Sequence, residues 1–397
     1  MRVTVFSDFR AALNAAGMVC THNGPRRYDF WARYLDVFEQ VTVVSRLNGG
    51  TNEGFQVTGP NVSHHPVPDY SGAAHYLRNF PAIRRAVVAA CHTDSAFILR
   101  LPGRLGVMAG MELLRIGKSY GVEIGGNPID VFAPGVVQHP LRPILRRVFA
   151  SDLRYLAQHA AAASYVTEHA LQRAFPCPAF EIGVAGVDLG ADAIAATWKR
   201  ARLARPLRIV TVGSLAQLYK GPDVLLHALA TCVRQGIDAS LVLVGDGRYR
   251  TQLEITAAEL GLSDRTSFRG RVPAGAAVRA ELDAADLFVL PSRAEGLPRA
   301  LVEAMARGLP CLASRIGGIP ELLAEEDLVT VGDSAELARQ IAAVYRNPKR
   351  RERMAARNLE RARDFSEPLL RARRRQFYER VFERARAAHA RPALLPG

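Results

Sequence analysis

Residues 207–247 read LRIVTVGSLAQLYKGPDVLLHALATCVRQGIDASLVLVGDG. Leu207 to Val212 is a short stretch rich in Leu, Ile and Val that stops at a glycine, and it reads as a strand. Asp223 to Arg234 carries apolar residues at helical spacing. Ser240 to Val244 is a second buried strand that closes on Gly245-Asp246-Gly247. Strand, helix and strand in this order make a βαβ unit, whose strands lie parallel.

The alternation continues downstream. Helices are predicted at Tyr249–Leu260, Ala276–Ala285 and Pro298–Arg307, and strands at Thr266–Arg269, Leu287–Leu290 and Pro310–Ala313. Upstream, Arg2–Phe6, Val41–Ser45, Phe97–Leu101 and Ala161–Val166 read as buried strands, with amphipathic segments at Tyr28–Phe38 and Phe80–Cys91 between them. A chain of 397 residues exceeds the roughly 250–300 that one core supports, so two domains are expected. The expectation is therefore an α/β protein of two Rossmann-like, doubly wound domains, with ligands at the carboxyl ends of the strands, facing a central cleft. The N-terminal domain is placed at residues 1–190 and the second at 200–360, with the linker at about 186–206. Residues 361–397 form a tail whose helix, Glu367–Ala388, carries a stripe of Phe377, Tyr378, Val381 and Phe382 and packs back on the N-terminal domain.

Apolar residues make up 49% and charged residues 23%, an ordinary globular balance. The five cysteines are scattered with no CxxC pair, which speaks against a disulfide framework or a zinc site. MRVTVFSDFR reads as a strand and not an export signal, and no run reaches the ~20 apolar residues of a spanning helix. These features predict a cytoplasmic protein. The net charge of +14 is concentrated late, at Arg346, Lys349, Arg350, Arg351 and Arg353, then Arg371 and Arg373–Arg375. Each arginine alone reads as part of a solvated helix face, but together they argue for an acidic partner. Without interleaved aromatics or a nucleic-acid motif, that partner is not nucleic acid.

Chemistry concentrates in LPSRAEGLPRALVEAMARGLPCLASRIGGIPELL, residues 290–323. A strand ends near Pro291, a loop carries Glu295, and Gly296 admits a close backbone approach. Leu297–Pro298 opens a helix whose free N–H groups suit an anion. Glu303 follows on that helix. Two carboxylates beside an anion site make sense if each accepts hydrogen bonds from sugar hydroxyls, at roughly 1.5–3 kcal/mol per charged bond. The competing reading is a pair of surface glutamates, which spacing alone does not exclude. In 212–227, Gly213 and Ser214 end a strand and Lys220–Gly221 opens a helix, which suits a diphosphate leaving group. Gly245, and Arg271 in FRGRV, add weaker contacts at neighbouring strand ends. Asp8, after the first strand, reads equally as an acceptor-side group or a helix cap. His64–His65 reads as a polar loop pair and not a metal site.

The set GSLxxxxKGxD, VGDG, FRGRV and EGLPRALVEAMARGLPCLAS…GGIPEL resembles the retaining GT-B glycosyltransferases of the large family 4 over residues 207–325. YDFWARYLDVFEQVTVVSR and YVTEHALQRAFP are similar to exopolysaccharide-type members. The resemblance implies a GT-B fold. It assigns Glu295 to the transferred sugar and Glu303 to the ribose hydroxyls. Lys220 falls to the donor phosphates; beyond the resemblance, Gly213, Ser214, Gly296, Leu297, Pro298, Gly245 and Arg271 are the further donor-binding candidates. It implies retention of configuration, no metal and no cofactor beyond the nucleoside diphosphate sugar. The acceptor implied is a saccharide, plausibly lipid-linked, at an anionic inner membrane face, in surface polysaccharide synthesis. Two departures stand out. Ser214 occupies a position where most members carry arginine, and Ala16–Gly17 is the nearest match to a Gly-Gly loop of the N-terminal domain. Glu123, in VEIGGNP, falls in a phrase similar to one in exopolysaccharide-type members, without an assigned role. The rival readings are a catalytically weak nucleotide-sugar-binding module, kept alive by Ser214, and a GT-B epimerase, which needs no acceptor.

Overall fold

The computed structural model describes residues 1–22, 26–51, 54–132, 141–198 and 206–389. Its strands are β1 (Arg2–Leu13), β2 (Val19–Thr21), β3 (Gln40–Thr51), β4 (Phe55–Gln56), β5 (Val62–Pro68), β6 (Ala96–Leu101), β7 (Gly121–Ile124), β8 (Ala162–Tyr165) and β9 (Glu181–Gly183) in the first half. The second half adds β10 (Leu207–Val212), β11 (Ala239–Val244), β12 (Thr266–Gly270), β13 (Leu287–Leu290), β14 (Cys311–Ser314) and β15 (Leu328–Val329).

The second sheet is wholly parallel in the order β12-β11-β10-β13-β14-β15, so the chain runs outward one way from β10 and then the other. This reversal is the doubly wound topology, and it opens a crevice between the ends of β10 and β13. Alternation along the strands divides the core. Ile209, Leu241, Leu243 and Val289 pack under the helix Pro222–Arg234, while Val210, Val242, Phe288 and Leu290 pack under Arg299–Ala306.

The first sheet runs β5-β3-β1-β6-β7-β8-β9, again parallel, with β2 and β4 added antiparallel beyond the end of β1. The first strand extends to Leu13, well past the expected Phe6, because its far end turns into a hairpin with β2. Ala16–Gly17 sits in that hairpin turn, not in a strand-to-helix loop. The expected helix Tyr28–Phe38 is a short helix, Tyr28–Ala32, continued by a 3-10 turn at Arg33–Asp36.

The domain boundary needs correction. Ala185, Val187 and Leu189 are buried in the second domain's core, so the chain has already crossed before residue 190. Ala195 N–H donates to the Ala306 carbonyl, and Trp198 lies against Gly308, so 186–198 is part of the second domain's surface and no free linker. Residues 199–205 of the expected linker, and 390–397 of the expected tail, lie outside the described residues. The helix Glu367–His389 returns to the first sheet, where Phe377, Tyr378, Val381 and Ala385 are buried with Val3, Val5, Ile98 and Ala162.

Of the late basic residues, six have partners within the molecule, while Arg346, Lys349 and Arg353 are exposed and form no ion pair among the described residues. Arg350 pairs with Asp327, Arg371 with Asp36, Arg373 with Glu168, Arg374 with Asp188 and Arg375 with Glu379. Arg351 is buried and donates to the Val344 and Tyr345 carbonyls. The cluster is thus partly neutralised from within, most fully at the little-exposed Arg350, Arg351 and Arg374. Among the described residues, no helix is long and apolar enough to cross a membrane.

Candidate active site

The loops that follow β10, β11, β13 and β14 converge at the carboxyl edge of the second sheet, and glycines allow them to approach. Gly221 has φ +67°, and a Cβ there would fall 2.0 Å from the Pro291 carbonyl oxygen. A Cβ on Gly245 would fall 1.8 Å from the Gly213 carbonyl oxygen. No other residue type fits such approaches without moving backbone.

Within this cluster Lys220 Nζ lies 2.7 Å from Glu295 Oε1, and Ser292 Oγ donates to the same oxygen at 2.6 Å. The Glu295 side chain is 6% exposed and that of Lys220 19%. Lys220 also stacks over Tyr219, 5.1 Å from the ring centroid. Two residues that are 75 apart in sequence thus form one buried ion pair. A bidentate bond from Arg293 to Asp223, at 2.8 and 2.6 Å, ties the Lys220 loop to the Glu295 loop. Arg293 further donates to the Leu218 carbonyl. Sequence reading passed over this clamp, although Asp223 is the last residue of the KGxD phrase.

Pro298 occupies the residue before the helix Arg299–Ala306 and not its first turn. With ψ at 111° it is extended, and its carbonyl accepts the first helical bonds from Leu301 and Val302. The N–H groups of Arg299 and Ala300 remain at the free end. Glu303 lies on the side of this helix that faces Ala276–Asp283. Among the described residues its carboxylate makes no hydrogen bond or ion pair. Burial raises its carboxyl above the usual range, while Arg299 and Arg279 pull it partly back.

Ser214 is exposed, and its hydroxyl accepts the Ala216 N–H at 3.2 Å. A cation reaches this loop from another direction, because Arg248 donates to Gln217 Oε1 at 2.9 Å. Arg271 is exposed at the end of β12. Gly296 and Leu297 face the first domain: a Cβ on Gly296 would fall 2.5 Å from the Gly125 carbonyl oxygen. Gly318 N–H donates to the Gly296 carbonyl, which holds that loop against the next. Across the gap, Glu321 accepts the N–H groups of Glu168, His169 and Ala170. Sequence reading gave Glu321 no part, although it belongs to the quoted GGIPEL phrase.

In the first domain, Asp8 accepts the Arg104 N–H at 2.9 Å and the Tyr70 hydroxyl, and pairs with Arg46. It caps a helix start from another strand, which satisfies the capping reading through a non-local partner. His64 and His65 lie on β5 and not in a loop. His64 bonds Ser45 and is pushed down to about 4 by burial, and His65 bonds the Ala86 carbonyl. Among the described residues, no group of three His, Cys, Asp or Glu side chains is placed to hold a metal.

A family profile described as Glycosyl transferases group 1 matches residues 196–361. The protein CapJ of Staphylococcus aureus is 26% identical over 321 residues, spanning 79% of each chain. The amylovoran biosynthesis glycosyltransferase AmsK of Erwinia amylovora is 34% identical over 174 residues, 42% of each. The 2-deoxystreptamine glucosyltransferase of Streptomyces kanamyceticus is 30% identical over 275 residues, covering 63% of this chain and 68% of that protein. A crystal structure of HepE of Anabaena in complex with UDP-glucose superposes with TM-score 0.66 at 18% identity, covering 96% of this chain and 100% of that one. The architecture is the expected one, two parallel-sheet domains across one cleft, as in that structure.

Proposed function

This chain belongs to the glycosyl transferases group 1 family, and from that membership we propose that it moves a sugar from a nucleoside diphosphate sugar to a saccharide acceptor with retention of configuration. The observation that carries the reading is the buried Lys220–Glu295 contact at the mouth of the second sheet, beside a desolvated, unpartnered Glu303. Lys220 and the free N–H groups of Arg299 and Ala300 neutralise the departing diphosphate. Fixed charge and dipoles do this without reorganisation, so the reading assigns the task to the protein and not to a metal ion. Glu295 gives up its ammonium partner to the phosphates and holds the donor sugar, whose C1 gains positive charge as the C1–O bond breaks. Glu303 accepts the ribose hydroxyls. The leaving phosphate takes the acceptor's proton on the same face, and closure of the cleft excludes the water that hydrolyses the donor.

The test is release of nucleoside diphosphate by the purified protein from a panel of uridine, guanosine and adenosine diphosphate sugars. Lys220→Ala lowers turnover without changing base preference. Glu303→Ala weakens nucleotide affinity by at least about tenfold, as expected for losing charged hydrogen bonds of roughly 1.5–3 kcal/mol. Wild-type affinity in that variant removes Glu303 from the site, and nucleotide binding without turnover on any donor favours a binding module.

We further propose that the acceptor is lipid-linked, that it serves surface polysaccharide synthesis, and that the protein binds an anionic membrane face from the cytoplasm. AmsK's part in amylovoran biosynthesis supports the pathway. Support for the membrane comes from the helix Arg142–His159. It exposes Ile144, Val148 and Tyr155 along one stripe beside exposed Arg146, Arg147 and Arg154, none of which forms an ion pair among the described residues. Apolar contact plus roughly 1 kcal/mol per basic residue suffices for reversible attachment. Flotation with anionic but not zwitterionic vesicles, lost in Val148→Glu, is the expected result. Flotation that ignores both lipid charge and this substitution excludes the surface.

A further inference from the structure

Three guanidinium groups converge on one phenylalanine at the edge of the first sheet. Arg26, Arg33 and Arg100 lie 4.6, 3.9 and 4.8 Å from the centroid of Phe30. Glu123 is the carboxylate they share: its Oε2 pairs with Arg100 and, at 3.7 Å, with Arg33, and its Oε1 accepts the Tyr34 hydroxyl at 2.9 Å. The Arg26 guanidinium makes no hydrogen bond or ion pair among the described residues. Three cations against one anion leave a net charge of +2 on groups that are largely out of water, with side chains of Arg33, Arg100 and Glu123 only 20, 19 and 11% exposed. Burial and the neighbouring Arg100 charge both pull the Arg26 pKa down, the mark of a cation short of a counter-charge. Among the described residues, the buried Nε–H groups of Arg33 and Arg100 and the buried Tyr378 hydroxyl have no hydrogen-bond partner either. Buried donors are rarely left unpaired, and an absent ion is one standing explanation.

The position of the cluster suggests what the counter-charge belongs to. Arg100 and Glu123 pair across β6 and β7, one residue before each strand ends. Two residues beyond Glu123, the Gly125 carbonyl abuts Gly296, next to Glu295. The cluster therefore sits at the lip of the cleft, opposite the donor side. We propose that Arg26, Arg33 and Arg100 bind an oxyanion, phosphate or carboxylate, carried by the acceptor, so that the acceptor is an acidic and not a neutral saccharide. This rests on the transferase reading for the word acceptor; the anion site itself does not.

A merely structural cluster makes the opposite prediction for Arg26. With no hydrogen-bonded counter-charge, its stacking on Phe30 and its attraction to Glu123 are set against repulsion from Arg100, so its removal changes stability little and changes no phosphate binding. The experiment is calorimetric titration of inorganic phosphate into the full chain carrying Lys220→Ala, which weakens the donor-side phosphate site. Phosphate binds this protein, and adding Arg26→Ala lowers the affinity by about tenfold, the scale of one charge-assisted contact. Tm does not fall, which separates lost binding from lost fold. Hexose 6-phosphate and hexuronate then compete with phosphate and neutral hexose does not; the stronger competitor names the oxyanion. Absence of phosphate binding in the Lys220→Ala protein, affinity unchanged by Arg26→Ala, or equal competition by neutral hexose overturns the proposal. If phosphate binds through Arg26 but no donor is ever turned over, the transferase reading fails and the anion site stands.

Discussion

At the scale of single residues, Glu303 sets function against stability. Its carboxyl is raised by burial, so its contribution to folding is present while it is protonated and is lost as pH rises through the raised value. At pH 7 the ionised carboxylate works against the fold. Glu303→Gln therefore raises Tm at pH 7, and the gain shrinks on acidification through the ordinary glutamate range. Nucleotide affinity goes the other way. It is lower in the variant, and in the wild-type protein it falls on acidification from a higher pH than an ordinary glutamate dictates. A thermal melt series with and without nucleotide reads both; a Tm loss at pH 7 contradicts the argument. Asp223 acts through its partners. Asp223→Asn loosens Arg293, and with it the register between the Lys220 and Glu295 loops. The pair is only partly buried, so the expected loss is roughly 1–2 kcal/mol in chemical denaturation, accompanied by a higher donor KM. An unchanged KM in a folded variant removes Asp223 from the positioning of Lys220.

At the scale of elements, loop approach depends on glycines whose roles differ. Gly221→Ala must push a Cβ into the Pro291 carbonyl and keep φ at +67°, whereas Gly236, at φ +77°, has nothing within 4 Å of its Cβ position. Gly236→Ala thus costs only conformational strain, about 1 kcal/mol. Gly221→Ala costs more than that and separates the Lys220 and Glu295 loops, so denaturation midpoints and donor turnover distinguish the pair. The strands of the second domain were legible in the sequence, because a parallel sheet covered on both faces writes itself as short runs rich in apolar residues, such as Leu207–Val212 and the unbroken Leu287–Leu290. Lys220 and Glu295 were singled out by the motif set and its family resemblance, and the structure brings them together, with Glu303 on the adjoining helix. What was not legible depends on distant partners. Arg374 pairs with Asp188 and Arg371 with Asp36, across 186 and 335 residues, so no local pattern separates these arginines from a free basic surface. The basic face on Arg142–His159 carries no motif. The hairpin at the end of β1 was hidden because an apolar run marks where a strand starts more clearly than where its last, half-exposed residues turn back.

At the scale of the whole molecule, the two domains are held by few but charged contacts. Glu321 accepts three backbone N–H groups of the first domain, and Arg361 and Arg373 both pair with Glu168 beside them. Glu321→Ala removes the carboxylate and leaves those N–H groups unpaired. The expected outcome is a larger radius of gyration in solution scattering and faster donor hydrolysis relative to transfer, because the cleft closes less often. A scattering curve identical to that of the wild-type protein excludes a latch at this position. The chain also passes between the domains twice at one place, where Leu189 bonds the backbone of Phe365 and Glu367. Beyond that crossing, Phe377, Tyr378 and Val381 complete the core begun by Val3 and Val5. During synthesis on the ribosome, then, the half of the protein made first lacks part of its interior until the other half has emerged. The second domain is the one able to finish first, and the earlier-made sheet waits, with its apolar face uncovered, for a segment encoded after its neighbour.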